Sequence, residues 1–212
     1  GECDYSQHAA TRLGANSLLS AAYGGFAAGP SIVEYVQGLD STYESVDEAT
    51  VKDALARDRA EYEGILKLDG PVNPYVLHEE LGALMTENVT IVRENAKLAA
   101  TYEKLFDIAE RYQHIGIDDR STWSNLTAPF VRQLGGMIDL AKVITLGALN
   151  RNESRGSHYK PEFPDRNDEE WLKTTMASYD AAADAPVLSY EPVDVSLIKP
   201  RKRDYTKTKK EA

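Results

Sequence analysis

A single arginine near the amino end of the chain stands beside features that suit anion binding. Arg12 is followed by Gly14, and Asn16, Ser17 and Leu18 then begin an apolar helical pattern. The first turn of a helix has unpaired N–H groups and a partial positive charge, and a guanidinium adds a planar fork of donors. The stretch has two interpretations: a helix capped by Ser17 beside a surface arginine, or one part of a site for a carboxylate or a phosphate.

A second group of ionisable residues follows the last long helical pattern. Glu153, Arg155 and His158 lie within six consecutive residues, and Gly156 among them is expected to end the preceding helix. These side chains allow a catalytic role, because such residue types bind anions or transfer protons. Glu153 and Arg155 could also pair with each other or with neighbouring segments, and structural clamping between domains is the favoured interpretation.

The motifs that usually identify a nucleotide or metal site are missing. No G-x-G-x-x-G, P-loop, H-E-x-x-H or C-x-x-C pattern occurs in the sequence. The four histidines are far apart in the chain, so no metal site is expected. The one cysteine, Cys3, excludes a disulfide within the chain and fits a reducing compartment.

The charge balance argues against nucleic acid as a partner. The chain has 24 Lys and Arg against 34 Asp and Glu, whereas phosphate neutralisation needs a clustered excess of basic residues. Residues 199–212 are the exception, with seven basic and two acidic side chains. They predict a solvated basic tail, with docking to an acidic partner or anionic lipid as the alternative. No apolar run approaches the ~18 residues of a membrane span, so membrane association is expected only through a partner.

Apolar periodicity and capping patterns predict a mainly α-helical chain. A helix rich in small residues is expected over residues 16–36, where several glycines suit close approach of a backbone or a cofactor. The capping box Ser45-Val-Asp-Glu48 predicts a helix from about Asp47 to Leu68. Asn73 followed by Pro74 predicts a further helix start.

Three more stripes of apolar residues recur at three- and four-residue spacing, which lines one face of a helix. They are Leu77, Leu81, Leu84, Met85, Val89 and Val92; Leu98, Tyr102, Leu105, Ala109 and Tyr112, with a left-handed stop at Gly116; and Phe130, Leu134, Met137, Ala141, Ile144 and Ala148. An antiparallel bundle of three or four helices is therefore predicted between residues 45 and 152. After a loop, the alternating runs KTTMASYD and PVLSYEPVDVSL predict a short β-hairpin ahead of the basic tail.

Three separated motifs, in the same order, resemble one protein family. GEC followed by HAATRLGANSLL, and then RNESRGSHYKPEFPDRNDEEWLKTTM, is similar to the carboxyl-terminal part of the flavoprotein subunit of succinate dehydrogenase and fumarate reductase. The ending SYEPVDVSLIKPRKRDY resembles the versions from Gram-positive bacteria of the Bacillus type. The resemblance implies that residues 1–40 end a FAD-binding domain, residues 41–155 form a helical domain, and residues 156–212 form a loop, hairpin and basic tail.

The resemblance also implies roles for four residues at the amino end. In this family the glutamate of the Gly-Glu pair contacts FAD, which places that role on Glu2. The arginine of the R-L-G-x-N-S-L-L motif binds a carboxylate of succinate or fumarate, which places that role on Arg12. Ser17 and Leu18 match the helix start that lies against the flavin ring, where a helix amino terminus stabilises the negative charge of reduced flavin.

Two residues beside Arg12 depart from the family pattern. Family members usually read His-Gly-Ala-Asn-Arg, whereas this chain reads His-Ala-Ala-Thr-Arg from His8 to Arg12. Ala9 and Thr11 therefore put the fine positioning around Arg12 in question.

The implied activity is oxidation of succinate to fumarate by hydride transfer to FAD, with electrons passed to an iron-sulphur subunit. A membrane-anchor cytochrome subunit and quinone would follow, which implies a peripheral place at the cytoplasmic face of the cell membrane. The family's dinucleotide fingerprint, its flavin-holding histidine and its proton-transferring arginine have no match in this sequence. The chain is therefore expected to be a carboxyl-terminal fragment that is inactive alone.

Three alternatives stay open at this point. A fumarate reductase would use the same site in the opposite direction, and an L-aspartate oxidase-like flavoenzyme belongs to the same superfamily. The basic tail and the hairpin sequence weigh against the aspartate oxidase. The third alternative is a binding module instead of an enzyme: a non-catalytic helical module that docks onto the iron-sulphur subunit.

Overall fold

The structure, a computed structural model, describes His8 and residues 10–201. The expectations for Glu2, Ala9 and residues 202–212 therefore lie outside the described residues. The chain divides into two compact units, residues 1–166 and residues 167–212. The three-part division at residues 40 and 155 stays a prediction.

The described part of the first unit is built mainly from α-helices joined by loops. Its helices are α1 Asn16–Gln37, α2 Glu48–Ile65, α3 Pro74–Asn88, α4 Asn95–Tyr112 and α5 Thr127–Asn150, with a 3₁₀ turn at Tyr43–Ser45. Helices α2 to α5 fall in the predicted region, so the predicted helical bundle is confirmed. Among the described residues, no helix is both long and apolar enough to cross a membrane.

The core of the bundle is built by the apolar faces of α3, α4 and α5. Leu77 and Leu81 of α3 pack with Leu105 and Ile108 of α4. Helix α5 contributes a continuous buried stripe that contains Ala128, Val131, Leu134, Ile138, Ala141, Thr145 and Ala148. Met137 and Ile144, which were predicted to be on this stripe, are exposed, because the stripe continues through the neighbouring positions 138 and 145.

Helix α1 buries none of its residues within the described chain. Its large apolar side chains are exposed; among them are Leu18, Leu19, Tyr23, Phe26, Val33 and Val36. The helix begins after Ala15, whose backbone is left-handed with φ at 65°, and no side chain in the described part caps it. The predicted cap at Ser17 is wrong, because α1 begins at Asn16 and Ser17 therefore lies inside the first helical turn. A capping side chain belongs to the residue just before the helix, which here is Ala15.

Two predicted helix starts had opposite outcomes. The Asn73 side chain accepts hydrogen bonds from the N–H groups of Tyr75 at 2.9 Å and Val76 at 3.4 Å, with Pro74 in the first turn, as predicted. The predicted capping box at Ser45 is wrong, because the Ser45 hydroxyl donates to the Thr42 carbonyl at 2.6 Å inside the 3₁₀ turn. Helix α2 therefore begins without a side-chain cap and ends at Ile65 instead of Leu68.

Gly116 has a different role from the predicted left-handed helix stop. Helix α4 ends at Tyr112, and among the glycines of the described part only Gly156 has a positive φ. A Cβ on Gly116 would collide with the Gly70 carbonyl oxygen, where the two loops cross. Glycine is required at this crossing because the two backbones touch.

The second unit contains the predicted hairpin. A short helix α6, Asp168–Trp171, precedes the antiparallel strands β1, Lys173–Asp180, and β2, Ala185–Pro192. The register runs from Lys173 opposite Pro192 to Asp180 opposite Ala185. Strand β2 stops at Pro192, so the last residues of the run predicted as strand, 193–197, lie beyond the hairpin.

Candidate functional site

Arg12 lies on the exposed turn that leads into α1. Its guanidinium Nη1 donates to the neighbouring Leu13 carbonyl at 3.3 Å, and the side chain is exposed. Ser17 and Leu18 follow in the first turn of α1, where 83% of the Leu18 side chain is exposed. Three of the four predicted site residues therefore share one short exposed segment, and Glu2 lies outside the described residues.

Hydrogen bonds fold the segment before Arg12 back onto α1. The Ser20 hydroxyl donates to the Asn16 carbonyl at 2.5 Å, which leaves its oxygen as the acceptor for the ring nitrogen Nε2 of His8 at 3.0 Å. The N–H of Thr11 donates to the His8 carbonyl at 3.2 Å, which closes a turn directly before Arg12. The backbone that carries Arg12 is thus held at its amino-terminal side.

The second predicted cluster is a buried ion network centred on Glu153. The Glu153 side chain is fully buried and accepts from Arg151 Nη1 at 2.7 Å, from Arg155 Nε at 2.8 Å and from Arg155 Nη2 at 2.9 Å. Charge-assisted pairs of this kind compensate the cost of removing a carboxylate from water. Glu153 and Arg155 bind each other within one loop, and the clamp between domains stays a prediction.

His158 is held neutral between two arginines. Its Nε2 lies 2.9 Å from the Arg151 carbonyl, which only accepts, so Nε2 carries the proton and Nδ1 accepts from Arg93 Nη1 at 2.7 Å. The pKa of His158 is lowered to about 4, mainly by burial. The hydrogen bond to the Arg151 carbonyl opposes this shift, and the positive charges of Arg93, Lys160 and Arg151 contribute to it. His158 therefore works as a fixed hydrogen-bonding link at neutral pH.

Lys160 joins the two ends of the helices nearest to this network. Its Nζ donates to Asn95 Oδ1 at 2.6 Å, to the Leu149 carbonyl at 2.8 Å and to Asn152 Oδ1 at 3.0 Å. Burial lowers the pKa of Lys160 to about 8, partly opposed by Glu162. The sequence did not single out Lys160 or Arg93, because an isolated basic residue in a loop has no spacing signal.

The end of this network touches the segment that carries Arg12. The backbone N–H of Ser157 donates to the Ala10 carbonyl at 3.2 Å, and the Ser157 hydroxyl donates to Thr11 Oγ1 at 2.8 Å. Gly156 has φ at 59° and lies directly against Ala10. The prediction that Gly156 ends the last long helix is wrong, because α5 already ends at Asn150 and Gly156 shapes a separate turn.

The described residues contain no group of three or more His, Cys, Asp or Glu side chains placed to hold a metal ion.

The described chain thus combines an exposed arginine turn, a helix that buries none of its residues and a helical bundle with its own core. The chain belongs to the family described as fumarate reductase flavoprotein C-term, which it matches over residues 78–205. It is 54% identical to the succinate dehydrogenase flavoprotein subunit of Bacillus subtilis strain 168, over 99% of this chain and 36% of that protein. It is 33% identical to the fumarate reductase flavoprotein subunit of Haemophilus influenzae, over 97% of this chain and 34% of that protein.

Solved structures agree with this assignment. A quinol fumarate reductase chain from E. coli superimposes with a TM-score of 0.69 at 28% identity, covering 74% of this chain and 27% of that one. The chain thus spans about a third of the length of the curated relatives it matches. The family resemblance drawn from the sequence motifs is confirmed, whereas the roles of Glu2, Arg12, Ser17 and Leu18 stay predictions.

Proposed function

We propose that this chain is the carboxyl-terminal part of a succinate dehydrogenase flavoprotein subunit, which oxidises succinate to fumarate. The observation that carries the proposal is the 54% identity to the B. subtilis subunit, which extends over 99% of the chain. Fumarate reductase flavoproteins are also relatives, at 33% identity for the Haemophilus influenzae subunit. Reduction of fumarate at the same site is therefore the second candidate function.

The start of α1 is proposed to face one edge of FAD. The first helical turn has no side-chain cap within the described chain, and the Asn16 N–H donates to the Leu13 carbonyl at 3.2 Å. The N–H groups that follow in this turn are proposed to face an electron-rich oxygen of the cofactor. The exposed Leu18 offers an apolar surface beside them, next to the Ser17 side chain. When bound, FAD would supply the hydride acceptor, and Ser17 and Leu18 would orient the ring. Glu2 is proposed as a further FAD contact on the strength of the family motif alone.

Arg12 is proposed to hold one carboxylate of the substrate. Its guanidinium presents a rigid fork of donors that matches the two oxygens of a carboxylate, and it stands on an exposed turn immediately before α1. Fixing one end of a four-carbon dicarboxylate sets the position of the two methylene carbons, one of which loses hydride and the other a proton. The group that takes the proton is proposed to lie outside this chain.

The exposed apolar face of α1 supports the view that the site is completed by other protein. Side chains such as Leu19, Tyr23, Phe26 and Val36 are more than half exposed in this chain. Large exposed apolar patches mark surfaces that other protein covers. We propose that the remainder of the flavin domain covers this face.

Partners and location are proposed from the same relationship. The flavoprotein would pass electrons to an iron-sulphur subunit, and a membrane-anchor cytochrome subunit would pass them between that subunit and quinone. The whole complex would lie at the cytoplasmic face of the cell membrane, with this chain attached only through its partners. An L-aspartate oxidase-like activity is not favoured by any of the matches described above.

Replacing Arg12 by lysine in the full-length enzyme tests this function. Arg12→Lys keeps the charge but removes the fork, so we expect succinate oxidation to fall by about a hundredfold or more while FAD content is unchanged. The matched control is Arg57→Lys on the exposed surface of α2, which we expect to leave turnover as in the parent. Near-normal turnover of Arg12→Lys, measured with an artificial electron acceptor, would contradict the proposal.

A further inference from the structure

We propose that Gly156, Ser157 and Thr11 are positioning residues that set the place of Arg12. The turn from Arg155 to His158 holds the backbone of Ala10 and Thr11, the two residues directly before Arg12. The inference rests on the proposed function, because it assumes that Arg12 holds the substrate. The cluster of Glu153, Arg155 and His158 would then affect substrate binding as well as stability, because it anchors this turn.

Two hydrogen bonds join the turn to the arginine segment. The Ser157 N–H donates to the Ala10 carbonyl at 3.2 Å, and the Ser157 hydroxyl donates to Thr11 Oγ1 at 2.8 Å. The second bond links residues 146 positions apart in the chain, so it forms only when the fold is complete. Together the bonds fix one backbone atom and one side-chain atom within two residues of Arg12.

Gly156 makes the contact close. Its φ of 59° is a conformation that residues with a side chain rarely adopt. A Cβ at this position would lie 2.7 Å from the Ala10 carbonyl oxygen and 2.8 Å from its carbonyl carbon. The backbone of Ala10 therefore packs directly on a residue that cannot carry a side chain without moving it.

The turn is itself anchored to buried groups at both ends. Arg155 and His158 exchange backbone hydrogen bonds of 2.8 Å and 3.0 Å. The Arg155 guanidinium binds the fully buried Glu153 through two bonds, and the His158 ring is held by Arg93 and by the Arg151 carbonyl. Because both ends of the turn are anchored, the turn stays in place and restrains the backbone of Ala10 and Thr11.

If the turn sets the position of Arg12, it also sets the position of the substrate that Arg12 holds. A displacement of about 1 Å in a substrate-holding group costs up to a hundredfold in rate. Loss of the turn contact is therefore expected to weaken dicarboxylate binding and raise the KM for succinate, without removing FAD.

The isosteric pair Thr11→Val and Thr11→Ser gives the cleanest test, in the full-length enzyme assembled with its partner subunits. Valine keeps the shape but removes Oγ1, whereas serine keeps the hydroxyl. Binding of malonate, a dicarboxylate that cannot be oxidised in the same way, is measured by calorimetry. We expect Thr11→Val to weaken malonate binding about fivefold and Thr11→Ser to stay within about twofold of the parent, since one net hydrogen bond is lost only in the first.

Gly156→Ala gives the larger perturbation, with Gly136→Ala as its matched control. Gly136 lies on the exposed side of α5, where an added Cβ meets nothing within 4 Å. We expect Gly156→Ala to weaken malonate binding by more than about tenfold and Gly136→Ala to leave it unchanged. If Gly156→Ala does not fold, the Thr11 pair decides the question.

A double-substitution cycle separates positioning from general damage. Thr11→Val and Ser157→Ala remove the same bond from its two sides, so the double variant is expected to bind malonate no worse than either single variant. Additive losses, or malonate binding equal to the parent in both single variants, would overturn the inference.

Arg12→Lys shows which proposal has failed. If it weakens malonate binding while the Thr11 and Ser157 variants do not, the positioning role falls and the substrate clamp stands. If Arg12→Lys binds malonate as the parent does, the clamp and the positioning role fall together.

Discussion

Glu153 shows how much one buried carboxylate depends on its neighbours. Its side chain has no exposed surface, while those of Arg151 and Arg155 are 15% and 19% exposed. A charge in such a place is tolerated only because both oxygens accept charge-assisted hydrogen bonds. Removing the charge leaves two arginines facing a neutral group with water largely excluded.

We therefore expect Glu153→Gln to lower the free energy of unfolding of the chain by about 3 kcal/mol, because it breaks a buried pair from one side. The matched control is Glu61→Gln, which removes an exposed ion pair with Arg132 and is expected to cost less than about 1 kcal/mol. Urea denaturation followed by circular dichroism measures both. Equal costs for the two variants would show that the Glu153 network adds nothing beyond a surface pair.

His158 gives the network a pH dependence. Its pKa is lowered from the ordinary 6.5 to about 4, so between these values the unfolded chain binds a proton that the folded chain does not. The free energy of unfolding is expected to fall as the pH decreases from about 6.5 to 4, by up to about 3 kcal/mol from this group. Above pH 6.5 both states are neutral at His158 and its contribution no longer changes.

The difference between the parent and one variant isolates this effect from the titration of carboxylates. His158→Gln should flatten the loss of stability between pH 6.5 and 4 relative to the parent. Urea midpoints at a series of pH values provide the comparison. Parallel curves for the parent and His158→Gln would contradict a neutral, buried His158.

At this scale the sequence pointed to some members of the network and not to others. Glu153, Arg155 and His158 are recognisable because they lie together in one loop. Arg93 bonds to His158 across 65 positions, and Lys160 to Asn95 across the same separation. Those contacts are made by the packing of α4, α5 and the loops around them, which no local spacing reveals.

Helix starts show the same limit for whole elements. The sequence Asn-Pro is typical of a helix start, and the Asn73 side chain caps α3 by accepting hydrogen bonds from two N–H groups. A serine three residues before a glutamate has competing uses, and the Ser45 hydroxyl bonds instead to the Thr42 carbonyl. The sequence therefore contains the capping-box residues, but the capping hydrogen bond of Ser45 does not form.

The difference between these two starts can be measured. We expect Asn73→Ala to lower the free energy of unfolding by about 1 kcal/mol, because two N–H groups of α3 lose their acceptor. Asp47→Ala, at the start of α2, removes no side-chain cap bond and is expected to cost no more than about 0.5 kcal/mol. Thermal unfolding of the two variants side by side decides it; an equal or larger loss for Asp47→Ala would contradict the assignment.

For the whole molecule, the contrast between α1 and the bundle is the main feature. The bundle buries its apolar stripes in two clusters, and these stripes were predictable because apolar spacing indicates burial against the chain's own helices. Helix α1 shows an equally apolar pattern but buries nothing within this chain. Apolar spacing alone does not say whether the covering surface belongs to the same chain, so the expectation of an incomplete site came from the family resemblance and not from the helical pattern.

The isolated chain is therefore expected to be folded but without cofactor. Circular dichroism of the purified chain should show the helical signal of the bundle. Its visible spectrum should lack flavin absorbance, because this chain would supply only one edge of the proposed FAD site. The matched sample is the full-length protein purified in the same way, in which flavin absorbance is expected. Stoichiometric flavin in the isolated chain would contradict the proposal that other protein completes the site.

The left-handed turn at Gly156 also has a genetic consequence. Every single-nucleotide missense change of a glycine codon introduces a Cβ, and any Cβ there meets the Ala10 backbone. In a saturation library selected for growth on succinate, position 156 should lose all its variants, whereas Gly136 should keep many. Under the proposed positioning role, the affinity for dicarboxylates can instead be adjusted at positions 11 and 157, where a hydroxyl can be gained or lost without moving the backbone.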